Sequence, residues 1–209
     1  MTHDLIAEFR RARVVPVIRT SSTAHAWTAA EWLRESGFRV FEITMTVPDA
    51  PGLMRRLASD SDALVGAGTV PDAEAARACL DAGARFIVTP WVDPAVIAVT
   101  REAGALPLPG TMTPTEIRAA VAAGAEAVKI FPAASAGGPG HVKALRAVFP
   151  GLPFCPTGGV DASNAPAYLD AGADFVGMGG KLVDEKRIAA GDKEAIMRAA
   201  RDALGLMQA

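Results

Sequence analysis

The chain has 209 residues, half of them hydrophobic, with a formal net charge of -2 and only two cysteines. That length fits one larger domain, read here as residues 1–209, with a sizeable core, and the charge provides no basic face for nucleic acid or a polybasic membrane contact. No apolar run reaches membrane-span length and Met1-Thr2-His3-Asp4 opens no signal peptide, so a soluble, cytoplasmic protein is expected, with Cys79 and Cys155 as buried thiols.

A short helix is predicted from about Asp4 to Ala12, and apolar, strand-like runs then alternate with helical patterns. Val14 to Arg19 is the first strand, followed by a helix from Thr23 to Ser36. Phe38 to Thr44 precedes a helix at Ala50 to Ser59, and Ala63 to Gly66 precedes one at Asp72 to Ala82. Arg85 to Thr89 leads to Pro94 to Ala103, and Leu106 to Pro109 leads to Pro114 to Ala123. Ala125 to Phe131 is followed by a helix from roughly Gly140 to Val148, and Pro153 to Thr157 by one from Ser163 to Ala171. Asp174 to Gly177 is the eighth strand, before a last helix that runs to the C-terminus.

The punctuation fits. Gly37, Gly83, Gly124 and Gly172 each stand just before a strand, where glycine suits the left-handed residue that ends a helix. Asp93-Pro94 and Thr113-Pro114-Thr115-Glu116 pair a capping residue with proline at the first helical position. Eight βα units in so short a chain give an α/β fold, a (β/α)₈ barrel with a short N-terminal helix. A doubly wound open sheet is the competing arrangement.

In such a barrel the chemistry sits at the C-terminal ends of the strands. Arg19, Glu42 and Lys129 are the charged residues there that lie inside apolar runs. Lys129 stands out in Ala127-Val128-Lys129-Ile130-Phe131-Pro132, in a chain with five lysines against sixteen arginines. The other four lysines, Lys143, Lys181, Lys186 and Lys193, lie in polar or turn-like stretches. Desolvating an ammonium ion is costly and favours the free amine, a nucleophile toward ketones and aldehydes. The plainer reading is a strand-end lysine whose tip reaches water.

Glu42, flanked by Phe41 and Ile43, is either half of a structural ion pair or a general acid/base, and burial raises a carboxyl pKa toward the working range. Gly158-Gly159 and Gly179-Gly180 follow strands seven and eight, where backbone amides of this barrel class receive phosphate. Thr69 and Thr157 end strands as turn caps or as substrate contacts, Pro90 and Phe131 stand at strand ends as pocket walls, and Trp91 is placed to line the mouth. His3, His25 and His141 show no metal-ligand spacing, and no cofactor is implied.

Together, Glu42-Ile43-Thr44, Gly66-Ala67-Gly68-Thr69-Val70, Lys129-Ile130-Phe131-Pro132-Ala133, Gly137-Gly138 and Pro156-Thr157-Gly158-Gly159-Val160 resemble the 2-keto-3-deoxy-6-phosphogluconate aldolase family, in order and over essentially the whole chain. The resemblance implies a metal-free class I aldolase of (β/α)₈ fold, a small 2-keto acid substrate and a homotrimer. It implies Lys129 as the Schiff-base lysine and Glu42 as the acid/base. Thr69 and Thr157 would lie at the pyruvyl carboxylate, and Gly158, Gly159, Gly179 and Gly180 at the phosphate. Gluconate-type members carry an arginine where this chain has Thr46, and many carry serine at the place of Gly180. Arg19 resembles the arginine of galactonate-type relatives. The galactonate epimer and 4-hydroxy-2-oxoglutarate are therefore alternative substrates. A phosphosugar isomerase or synthase, and a non-catalytic phosphometabolite-binding barrel, are more remote readings.

Overall fold

A computed structural model describes residues 2–60 and 62–205. Parallel strands β1 (Val14–Ile18), β2 (Val40–Thr44), β3 (Leu64–Gly68), β4 (Phe86–Val88) and β5 (Leu106–Leu108) pair in chain order. A second sheet holds β6 (Gly110–Thr111), β7 (Val128–Ile130) and β8 (Phe154–Pro156), while β9 (Val176–Met178) pairs with β1. The isolated bridge between Thr157 and Gly177 joins β8 to β9.

The predicted fifth strand, Leu106 to Pro109, is therefore longer and broken, with Pro109 between β5 and β6. Proline has no N–H to give a ladder, so regular pairing stops there. Its carbonyl still accepts the Lys129 N–H at 2.9 Å and carries the sheet across the gap. The result is a closed parallel (β/α)₈ barrel, not the open doubly wound sheet.

Other departures are at element ends. The third strand starts at Leu64 and continues to Gly68, and the eighth is Val176–Met178. The predicted last helix is two: α9 (Glu185–Ala189) and α10 (Lys193–Gly205). Gly191, at φ 70°, turns the chain between them, in the left-handed region that glycine adopts freely. Residues beyond 205 and the side chain of His3 lie outside the described residues. The remaining helices are α1 (Thr2–Ala12), α2 (Thr23–Glu35), α3 (Ala50–Asp60), α4 (Ala73–Asp81), α5 (Pro94–Glu102), α6 (Pro114–Ala122), α7 (Gly138–Val148) and α8 (Ala165–Asp170).

Gly37, Gly83, Gly124 and Gly172 all have positive φ, as expected of helix-ending glycines. Asp93 caps α5 by accepting from the Ala95 and Val96 N–H groups, and Thr113 and Glu116 form a reciprocal capping box at α6.

Two apolar layers result. The larger lies between the sheet and its helices, and Trp27 and Trp32 pack against it. The smaller fills the barrel: Leu5, Ile6 and Phe9 of α1 meet Val15, Val40, Phe86, Leu106, Ala127, Cys155 and Phe175. The Phe9 ring stands edge-on to Phe86 at 4.9 Å and tilted to Phe175 at 4.8 Å, favourable aromatic geometries. Helix α1 thus closes the N-terminal end of the barrel, leaving the C-terminal end for a site. No helix among the described residues is long and apolar enough to cross a membrane.

Candidate functional site

Strand alternation turns Glu42, Lys129 and Cys155 toward the barrel axis. Lys129 aligns with Gly110 on one side and Cys155 on the other. Its backbone is fixed by the Pro109 carbonyl and by the Thr111 hydroxyl, which donates to its carbonyl at 3.1 Å. The residue is only 5% exposed, and its Nζ lies 4.6 Å from the centre of the Phe131 ring.

Glu42 is 4% exposed. Burial pushes its carboxyl pKa up, and the positive charges of Lys129 and Arg19 offset part of that. Its buried Oε1 has no hydrogen-bond partner, and neither Glu42 nor Lys129 makes a side-chain ion pair among the described residues. Room for the carboxyl comes from Gly68 on β3: a Cβ built there would lie 2.0 Å from Glu42 Oε1.

Cys155 and Cys79 are both buried free thiols. Burial pushes them up to about 12 and about 11 respectively, so both stay protonated at neutral pH.

A cleft of about 650 Å³ opens above Lys129. Arg19, Phe131, Thr157, Gly158, Gly159, Gly179 and Gly180 line it with Lys129. The structure thus brings together eight of the residues singled out from sequence. Three others stand apart from its wall. Glu42 lies within the barrel, near enough to Lys129 and Arg19 for their charges to act on it. Thr69 is tied in through Arg19, whose Nη2 donates to Thr69 Oγ1 at 2.9 Å. The Pro90 carbonyl lies beside Gly110, where a Cβ would meet it, and Pro90 is not among the residues lining the cleft.

Thr69 has φ 55°, costly for a β-branched residue, so a hydroxyl is held here against backbone strain. Thr46 makes a local contact instead: its hydroxyl and that of buried Thr44 are 2.7 Å apart. Trp91 is exposed.

At the glycine end, Gly158 and Gly159 have φ 92° and 78°. Asn164 Nδ2 donates to the Gly159 carbonyl at 2.8 Å, and Asn164 Oδ1 accepts from the Asp161 N–H. These bonds fix the loop against the start of α8. Asp161 and Lys181 also line the cleft, and neither is flagged by sequence. An aspartate and a lysine in turns look like ordinary surface residues until the fold places them on one lip.

His25 and His141 are not among the residues lining this cleft. The His25 ring meets Glu185 at 3.0 Å, and the His141 ring meets the Met112 carbonyl at 2.7 Å. Among the described residues, no group of three or more His, Cys, Asp or Glu side chains is placed to hold a metal ion.

Comparison with known proteins agrees with this geometry. The family model described as KDPG and KHG aldolase matches residues 5–199. A 2-dehydro-3-deoxy-phosphogluconate aldolase from Pseudomonas aeruginosa is 35% identical, over 93% of this chain and 89% of its own. A probable 2-dehydro-3-deoxy-6-phosphogalactonate aldolase from Rhizobium meliloti is 37% identical, over 81% of each. A crystal structure of KDPG aldolase from Legionella pneumophila, with pyruvate captured as a covalent carbinolamine, superposes with a TM-score of 0.86 at 32% identity, covering 93% of this chain and 95% of that one.

Proposed function

The chain belongs to the KDPG and KHG aldolase family, and on that premise we propose that it is a metal-independent, Schiff-base aldolase acting on 2-keto-3-deoxy-6-phosphogluconate. The products are pyruvate and glyceraldehyde 3-phosphate. The observation that carries this reading is the burial, in one barrel interior, of an amine and a carboxyl that make no side-chain ion pair among the described residues.

The unprotonated amine of Lys129 attacks the C2 ketone, and loss of water gives a protonated imine, an electron sink. Glu42 takes the proton of the C4 hydroxyl. The C3–C4 bonding electrons flow into the imine and the aldehyde leaves. The enamine that remains takes a proton at C3 from Glu42, and hydrolysis of the imine frees pyruvate and Lys129. The raised pKa of Glu42 suits a group that must both accept and return a proton. Arg19, Thr69 and Thr157 hold the carboxylate, and Gly158, Gly159, Gly179 and Gly180 receive the phosphate. Phe131 walls the imine from water.

Borohydride reduction in the presence of pyruvate tests this. A stable adduct mass on Lys129, its loss in Lys129→Ala, and activity unaffected by a chelator are expected. Full activity in Lys129→Ala would sink the mechanism. The resemblance of Arg19 to the arginine of galactonate-type relatives, with the 37% identity to the Rhizobium meliloti protein, makes the galactonate epimer the second reading. Relative turnover on the two epimers and on 4-hydroxy-2-oxoglutarate decides among them.

The same reading makes residues 1–209 one aldolase domain of a cytoplasmic homotrimer. Exposed Trp91, Met112, Val121 and Val148 supply apolar surface for subunit contact, and light scattering at three times the 21.6 kDa chain mass is the expected result.

A further inference from the structure

Lys181 follows Gly179-Gly180 beyond β9, and its side chain is 80% exposed. Its Nζ lies 2.5 Å from Asp161 Oδ2. Asp161 is firmly held: its side chain is 15% exposed, and Oδ1 accepts from the Ser163 N–H at 2.8 Å and the Ser163 hydroxyl at 2.5 Å. Both residues line the cleft beside Gly158, Gly159 and Gly180, and both also line a neighbouring groove of about 510 Å³. The ion pair thus borders both spaces, and the lysine side chain is largely open to solvent.

The charges at this lip set what can enter. The Lys181 and Ser163 hydrogen bonds pull the Asp161 carboxyl down to about 2, so it stays ionised at any working pH. Alone it would repel an incoming anion. Paired, the lip is neutral, and the ammonium has three N–H donors of which Asp161 takes one. The other two are free to meet phosphate oxygens at the glycine end, on a stem long and exposed enough to reach them.

We propose that Lys181 is a specificity-determining residue: its ammonium, held on the lip by Asp161, selects substrates whose far end carries a phosphate over those ending in a neutral hydroxyl. The assignment rests on the aldolase reading for its substrate and adds a side-chain cation to an end otherwise built from backbone. Asp161 is part of the device. With Lys181 removed, its carboxylate remains and turns the preference against anions.

Two readouts keep this separate from the aldolase reading. The first is calorimetric titration with inorganic phosphate. Lys181→Met is expected to bind about tenfold more weakly, the loss of one charge-assisted hydrogen bond. Lys181→Arg should stay within about threefold, and Lys181→Met with Asp161→Asn should regain part of the loss. The second is pyruvate release from 2-keto-3-deoxy-6-phosphogluconate and from its unphosphorylated counterpart. The ratio of their kcat/KM values should fall about tenfold in Lys181→Met, mainly through KM, with borohydride trapping of pyruvate unchanged. Equal phosphate affinity in the unmodified protein and Lys181→Met, or no phosphate binding by the unmodified protein, overturns the assignment whatever reaction is catalysed. Weakened phosphate binding in a chain that releases no pyruvate upholds the cation's role and overturns the aldolase reading.

Discussion

Gly68 gives Glu42 its place: the carboxyl oxygen occupies the space a side chain on Gly68 would fill, 2.0 Å from where its Cβ would be. Gly68→Ala must push the carboxyl off its position, because the atoms nearest the new Cβ all belong to the Glu42 side chain, which gives way before backbone does. Displacing a proton-transfer group by about an ångström costs on the order of a hundredfold in rate. The expected result is a kcat about a hundredfold lower, with the pyruvate adduct on Lys129 still formed under borohydride. Unchanged kcat would mean that Glu42 does not move the proton.

The protonation of Glu42 also enters stability. Its folded pKa is raised by burial, so the native state holds a proton that the unfolded chain gives up at lower pH. That contribution is fully present below the unfolded value and is lost as pH rises through the raised folded value. Glu42→Gln cannot ionise. Its melting temperature should exceed that of the unmodified protein at pH 8, with the gap shrinking toward pH 4. Thermal scans across that range check the sign, and a gap that widens on acidification would contradict it.

Arg19 and Thr69 are joined by a hydrogen bond at 2.9 Å, and the proposed reaction gives the pair to the substrate carboxylate. Arg19→Met removes a cation from the mouth and leaves the Thr69 hydroxyl without its partner. KM for the 2-keto acid is expected to rise about tenfold or more, the worth of a charge-assisted hydrogen bond, while kcat changes less. Steady-state kinetics separate the two, and an equal fall in kcat and kcat/KM, with KM unchanged, would place Arg19 in the chemical step instead.

Phe9 is fully buried between Phe86 and Phe175. Phe9→Ala should cost about 3–5 kcal/mol, read from the urea midpoint. At low urea kcat should stay near that of the unmodified protein, since the cavity opens at the far end from the cleft.

Several of these features were legible in the chain itself, for identifiable reasons. A lysine and a glutamate inside apolar runs are costly enough to betray themselves, and the helix-ending glycines answer to backbone geometry alone. What depends on tertiary proximity was not. The Arg19–Thr69 bond spans fifty residues, and its geometry depends on the unusual φ of Thr69. Asp161 and Lys181 meet across twenty residues that take in α8 and β9. Leu106 to Pro109 reads as a strand that ends at proline, whereas the ladder resumes beyond the missing N–H as β6, Gly110–Thr111.

The aromatic stopper at the base of the barrel gives the reaction chamber one doorway. In the proposed reaction the phosphorylated fragment sits toward the opening and the pyruvyl fragment behind it, bonded to Lys129. Departure then follows a queue: the aldehyde first, the three-carbon acid last. Pyruvate, re-entering an emptied chamber, would reach the amine unobstructed and compete directly with fresh substrate.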